Sequence, residues 1–305
     1  MKVLVTGGAG YKGISLVKKL LEKGHHVTLL DNFMYGYEPV LQIINNPKLD
    51  VIQQDVRNIS NSSIKGQDVI FHLAGISGMP ACASNPDSAE NINVIATQKL
   101  VSLLDKNQLL INASTTSFYG ASGEECDETV EAQPVSIYGR TKLAAEKIVS
   151  NRENSISLRF ATVFGVGARM RNDLLANDFA YKAIHDRSIV IFAGYSKRTF
   201  VHIDDAINAY LFALDNADIM KNNVYNVGDE SLNFSKNDIA DIIKKYVDFE
   251  IVNSNLPDLD VRSFLVSFKK IKELGYKTNL TLEDGIIDLI KLYKFYKVHS
   301  HFNII

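Results

Sequence analysis

The stretch Thr6-Gly7-Gly8-Ala9-Gly10-Tyr11-Lys12-Gly13 decides how this chain begins to fold. Before it, residues 2–6 read as a short buried strand. After it, Ile14, Leu16, Val17, Leu20 and Leu21 recur at helical spacing until Gly24. Residues 26–30 make a second strand, which closes in Asp31-Asn32. Strand, turn, helix and strand form a βαβ unit. Glycines at 7, 10 and 13 permit a tight turn, close backbone approach to a pyrophosphate and close helix packing, while the helix N-terminus attracts phosphates. Asp31 stands 18 residues beyond Gly13, where a dinucleotide presents its ribose hydroxyls. A 2′-phosphate would be repelled there, so NAD is expected rather than NADP. The plainer alternative is a turn without a ligand, with Asp31 capping the segment after it.

Working outward, residues 50–53 and 69–73 read as further strands, the second ending in Leu73-Ala74-Gly75, with Asp55-Val56-Arg57 between them. Residues 91–104, which include Asn93, show a helical apolar stripe, and strand 109–113 delivers Ser114 and Thr115 to the edge that holds Ala74-Gly75. Strands alternating with helices predict an α/β fold: a doubly wound parallel Rossmann sheet with ligands at the strands' C-terminal ends.

A second informative stretch is Tyr138-Gly139-Arg140-Thr141-Lys142. If residues 138–150 are helical, Tyr138 and Lys142 project from one face. A free phenol has a pKa of about 10, and a cation within roughly 4–6 Å favours phenolate, which makes tyrosine a usable base near neutral pH. The spacing also occurs by chance in many helices. It gains weight from the glycine turn at the other end of the chain.

The 305 residues are 46% apolar and 22% charged, an ordinary globular composition that bounds the chain at one large domain or two unequal ones. A net charge of -2 and a pI near 6.4 argue against a nucleic-acid binder driven by phosphate neutralisation. Cys82 and Cys126 stand alone, with no zinc spacing, so neither a disulfide framework nor a metal is expected and a cytoplasmic setting is. No leader precedes Val3-Leu4-Val5 and no apolar run reaches the roughly 18 residues of a membrane span, so no membrane partner is expected.

The ordered motifs resemble those of extended short-chain dehydrogenase/reductases of the nucleotide-sugar epimerase/dehydratase family. They comprise residues 6–13, Asp31-Asn32, Asp55-Val56-Arg57, His72 to Gly75, Ser114 to Gly120, Tyr138 to Lys142, Leu158 to Gly165, Arg198 to Asp205 and Thr281 to Ile286. The resemblance implies roles by position. Thr115, Tyr138 and Lys142 fall on the catalytic residues: the hydroxyl that bonds the reacting sugar, the base, and the lysine that binds the nicotinamide ribose. Gly7, Gly10, Tyr11, Lys12, Gly13, Asp31, Asn32, Asp55, Val56, Leu73, Ala74, Gly75 and Asn93 fall on cofactor-binding positions, together with Tyr138 and Lys142. Arg198 matches an arginine that grips the substrate diphosphate and Arg262 a second. Thr116, Thr162, Arg169, Arg171 and Asn177 complete the implied substrate set, with Thr162 standing where an asparagine is usual.

Lys12 departs from the family's apolar residue and reads as a solvated residue at the helix start, with a cation near the pyrophosphate as the alternative. Arg169 and Arg171 read equally as phosphate ligands or as a solvated pair. Residues 162–179 resemble a sub-branch used in building surface polysaccharides, which contains both oxidoreductases of nucleotide-linked hexoses and heptoses and epimerases. Residues 1–165 with 199–230 are expected to form the NAD-binding domain, and 166–198 with 231–305 a smaller α/β domain that binds the nucleotide sugar. Residues 199–216 and 224–228 are expected to return to the large sheet. Residues 235–238 and 281–284 read as capped helix starts, and Ile286, Ile287, Leu289, Ile290 and Tyr293 as the core stripe of the last helix.

The implied reaction is NAD-dependent oxidation and epimerisation at carbon 4 of a UDP-, GDP- or dTDP-linked sugar, by a homodimer or higher homo-oligomer. A dehydrogenase or ketoreductase releasing the keto sugar is the alternative. An inactive NAD-binding regulatory protein is disfavoured because the tyrosine and lysine are both present. Dehydration is disfavoured because Thr116-Ser117, not Asp-Glu, follow Thr115.

Overall fold

The computed structural model describes residues 1–120, 125–256 and 265–297. Seven parallel strands form the central sheet in the spatial order Asn223–Val227, Ser155–Phe160, Leu109–Thr115, Val69–His72, Lys2–Thr6, His26–Asp31 and Leu49–Gln53. Both faces are covered, which is why the strands read as apolar runs rather than as alternation. Val3, Val5, Val27, Leu29, Phe71 and Ile111 pack on one face beneath helices Tyr11–Glu22 and Ile203–Asp215. The intervening Leu4, Leu30, Ile70 and Leu110 pack on the other against Leu100 and Val149.

Helix Ile137–Ser150 begins where Ser136 Oγ accepts from the Gly139 amide at 3.0 Å. The expected helix 91–104 is real but composite. Asn91–Ile95 is a π-helical turn that leads into the α-helix Ala96–Leu103.

A second core gathers Phe164, Phe179, Ile189, Ile191, Phe200, Ile239, Ile243, Ile286, Leu289 and Tyr293. It lies among helices Leu175–His185, Lys236–Lys244 and Leu282–Tyr293 and the parallel pair Ser188–Phe192 with Glu250–Ser254. Both expected helix starts are reciprocal capping boxes, Ser235 with Asp238 and Thr281 with Asp284. Ile287 departs from the expected stripe: it is exposed while its four apolar neighbours are buried.

Two further expectations need correcting. Strand Lys197–His202 does not join the large sheet. It sits between Thr162–Phe164 and Asn233–Ser235 in a three-stranded sheet of its own, although the helix after it packs on the large core. Residues 265–276, expected in the smaller unit, return to the large core through Val266, Phe268, Ile271 and Tyr276. Among the described residues no helix is long and apolar enough to cross a membrane.

Candidate active site

The order of the sheet reverses between Lys2–Thr6 and Val69–His72, which opens a crevice at the strands' C-terminal ends. The glycine turn forms its floor. Gly7 has φ +70°, and a Cβ there would come within 2.7 Å of the Ala74 nitrogen; a Cβ on Gly13 would meet the Gly7 oxygen at 2.1 Å. The turn therefore packs against Leu73-Ala74-Gly75 only without side chains. Ile76, next to Gly75, is held in turn by Asn93, whose Oδ1 accepts from the Ile76 amide at 2.8 Å while Nδ2 donates to the Ile76 carbonyl and to Thr141 Oγ1. Asn93, expected to touch the cofactor, thus fastens the residues that line its groove.

At one end of the groove lie Asp31, Asn32, Asp55, Val56 and Tyr35. Asp31 accepts from the amides of Ala9 at 3.0 Å and Phe33 at 2.9 Å. Burial raises its pKa, against those amides and the nearby Arg169. Asp55 is paired with Arg57 at 2.8 Å, which holds its carboxyl down at about 2.

At the other end Tyr138, Lys142 and Glu146 succeed one another at four-residue spacing along helix Ile137–Ser150. Burial brings the Lys142 pKa down to about 8, with the Glu146 charge opposing it. Glu146 is itself buried and accepts from Arg159 Nε at 3.0 and 3.1 Å, from Arg159 Nη2 at 2.7 Å and from Ser114 Oγ at 2.5 Å. Arg159 Nη1 donates to Tyr119 Oη at 2.7 Å, and that hydroxyl donates to Asn226. The ion pair therefore ties strand Ser155–Phe160 to the helix that carries Tyr138, and the Ser114 hydroxyl ties the strand that ends in Thr115 to the same carboxylate. Thr115 Oγ1 accepts from the Ser117 amide at 3.1 Å.

Tyr138 and Ser114 also line a larger cavity of about 420 Å³, with Thr115, Ser117, Phe160, Thr162, Arg171, Arg198 and Lys236. Its size suits a small-molecule ligand. Several residues expected around the substrate lie elsewhere. Thr116 is buried and donates to the Phe160 carbonyl, so it faces away, and Ser117 takes the lining position. Asn177 is fully buried and engages the Gly165 amide and the Arg171 carbonyl, shaping the loop rather than the cavity. Arg169 lines the cofactor groove, with its guanidinium 4.0 Å from the centre of the Tyr35 ring. Arg171 borders both spaces and pairs with Asp173 at 2.5 Å. Neither arginine is solvated, for both are about nine-tenths buried. Arg262 lies outside the described residues. Lys12 is the largest correction. It is half-buried at the border of both spaces, with its amine 3.9 Å from the centre of the Phe160 ring rather than freely solvated.

Tyr35, Phe160 and Lys236 were not anticipated. Nothing in the local sequence marks Tyr35, which reaches the site from a loop; Phe160, at a strand end, stands within the Leu158 to Gly165 motif without an implied role there. Lys236 falls inside a helix start that reads as structural. Glu146 carried a usable signal, standing four residues beyond Lys142 on the same helical face.

The groove suits a dinucleotide: a turn bare of side chains beneath the phosphates, a carboxylate at one end and a tyrosine–lysine pair at the other. Comparisons with known proteins agree. A protein of Methanocaldococcus jannaschii provisionally named a UDP-glucose 4-epimerase is 29% identical over 300 residues, covering 93% of this chain and 95% of that one. UDP-glucuronic acid decarboxylase 3 of Arabidopsis thaliana is 26% identical over 308 residues, covering 94% and 87%. The crystal structure of UDP-glucuronic acid 4-epimerase from Bacillus cereus, in complex with UDP-glucuronic acid and NAD, matches with a TM-score of 0.86 at 26% identity, covering 96% of this chain and 99% of that one. Residues 3–228 match the model of the NAD dependent epimerase/dehydratase family. This chain belongs to that family and uses NAD as its cofactor.

Proposed function

We propose that the protein epimerises a nucleotide-linked sugar at carbon 4, through oxidation of its hydroxyl and reduction on the other face. The observation that carries this reading is that Tyr138 lines both the cofactor groove and the larger cavity, so one phenol reaches both reactants. Oxidising a secondary alcohol requires a proton to leave oxygen as hydride leaves carbon. Bound NAD supplies the hydride acceptor. Tyr138 takes the proton, Thr115 orients the hydroxyl by a hydrogen bond, and Lys142 holds the nicotinamide ribose and adds positive charge beside the phenol. Arg198 grips the diphosphate through its guanidinium fork, with Arg262 as the second cation. Residues 166–198 and 231–256 supply Arg171, Arg198 and Lys236, cations of the nucleotide-sugar side.

The only acids among the described lining residues of the larger cavity are Asp173 and Asp178, paired with Arg171 and Lys182. Neither is free to protonate a leaving hydroxyl, which favours epimerisation over dehydration. The relatives named for UDP-sugars support a UDP-linked substrate, and the resemblance of residues 162–179 supports a place in surface polysaccharide synthesis.

The test is a substrate deuterated at carbon 4. Its label should pass to NAD and return on the opposite face; release of the keto sugar with the label retained on NADH would make the enzyme a net dehydrogenase. Tyr138→Phe should lose roughly 10²–10⁴-fold in kcat while substrate still binds. Transfer from any other carbon, or full activity in Tyr138→Phe, would overturn the mechanism.

A further inference from the structure

Lys12 has no role in the chemistry so far described, yet it occupies the junction of the two cavities. A lysine in a phosphate-binding turn has an obvious use, to reach the pyrophosphate, but this amine is turned to two aromatic rings. The amine lies over the Phe160 ring at 3.9 Å and 5.5 Å from the centre of the Tyr210 ring. Among the described residues it makes no hydrogen bond and no ion pair. The charged groups that act on it are Lys142 and Arg171, both cations, and burial with their repulsion brings its pKa down to about 7. A half-buried amine stacked on aromatic rings without a carboxylate is poorly solvated, and a methionine would fill the same space without that cost. Such a group, set in a cleft, is a candidate for a functional role.

The location says which role. Tyr138 and Lys142 mark the end of the groove where a hydroxyl must meet the hydride acceptor, a placement that rests on the function proposed above. The nicotinamide ring therefore lies at this end, and it is the one part of the dinucleotide whose charge changes in the reaction: cationic when oxidised, neutral when reduced. A nearby fixed cation penalises the first state and not the second.

We propose that Lys12 sets the redox balance of the bound cofactor, favouring NADH over NAD and so drawing the hydride off the sugar. Stacking on Phe160 and Tyr210 holds the amine where it acts on the ring without bonding the phosphates.

The test needs no substrate. Nucleotide-free wild type, Lys12→Met and Lys12→Arg are titrated with NADH by fluorescence and with NAD by competition, at pH 6. Lys12→Met should bind NAD more tightly relative to NADH, shifting the ratio of the two dissociation constants at least tenfold, and Lys12→Arg should return it toward wild type. Removing this half-buried cation, which has no carboxylate partner among the described residues, should not lower the melting temperature. Should Lys12→Met nevertheless fail to fold, Lys12→Gln carries the same comparison. A ratio unchanged within twofold overturns the proposal. Equal weakening of both nucleotides overturns it too and makes Lys12 a pyrophosphate contact. Wild type that binds neither nucleotide refutes the cofactor end assigned to Tyr138 as well, so the two failures are distinguishable.

Discussion

Glu146→Gln probes how far the chemistry depends on a pair that touches no ligand. Glu146 and Arg159 are both more than nine-tenths buried and joined by three contacts of 2.7 to 3.1 Å. Removing one charge strands the other in a medium that cannot solvate it, which costs roughly 3–5 kcal/mol. Glutamine keeps the shape and one acceptor for Arg159, so about 3 kcal/mol is expected. Urea unfolding followed by circular dichroism measures it. The variant also removes the charge that opposes burial at Lys142, so the lysine should lose its proton at a lower pH than wild type and NAD affinity should fall at neutral pH. Replacing both partners by apolar residues, Glu146→Leu with Arg159→Met, should recover most of the stability, since no charge is then left unpaired. NAD affinity should stay low in that double variant. A loss below about 1 kcal/mol in Glu146→Gln would show that the pair is not desolvated as its burial requires. A double variant as unstable as the single one would trace the loss to packing.

Calorimetric titration should show NAD bound well ahead of NADP, with the gap narrowed in Asp31→Ser; equal affinities in wild type would remove Asp31 from the ribose. Arg198→Ala should raise KM for the nucleotide sugar and leave NAD affinity alone, and unchanged kinetics would shift the diphosphate to Arg171. Lys142 is charged below about pH 8 and neutral above it. NAD affinity should therefore weaken as pH rises through 8, measured in Lys12→Met so that the second amine does not contribute; a flat profile would remove the charge of Lys142 from binding.

The large sheet and its cofactor turn were legible because local pattern and tertiary role coincide there: Gly7 and Gly13 serve the turn and the packing at once, and Val3 to Thr6 is buried on both faces. Thr115, Tyr138 and Lys142 stand in short contiguous motifs, and the structure sets Tyr138 on both the groove and the larger cavity, Lys142 on the first and Thr115 on the second. Reading failed where side-chain direction decides. Thr116 and Ser117 are neighbours of similar chemistry, and only the register of the turn sends one to the Phe160 carbonyl and the other to the cavity. Lys12 is the second residue of the helix that opens after Gly10, a position that is usually solvated; its course toward the rings depends on Phe160 and Tyr210, about 150 and 200 residues away. Strand 197–202 has only Phe200 and Val201 as apolar residues, and nothing in it reveals that its partners are Thr162–Phe164 and Asn233–Ser235.

The π-helical turn at Asn91–Ile95 gives this site a weakness of an unusual kind. A π turn holds one residue more than an α turn, and that extra residue aims the Asn93 amide back at Ile76, next to Gly75. Deleting a single residue there would let the segment relax to an α-helix, turning the side chains on one side of the deletion by about 100° and carrying the amide off its targets. The floor of the cofactor groove would come loose with every ligand-facing residue intact. In descendants of this chain, this helix should accept changes of side chain more readily than changes of length.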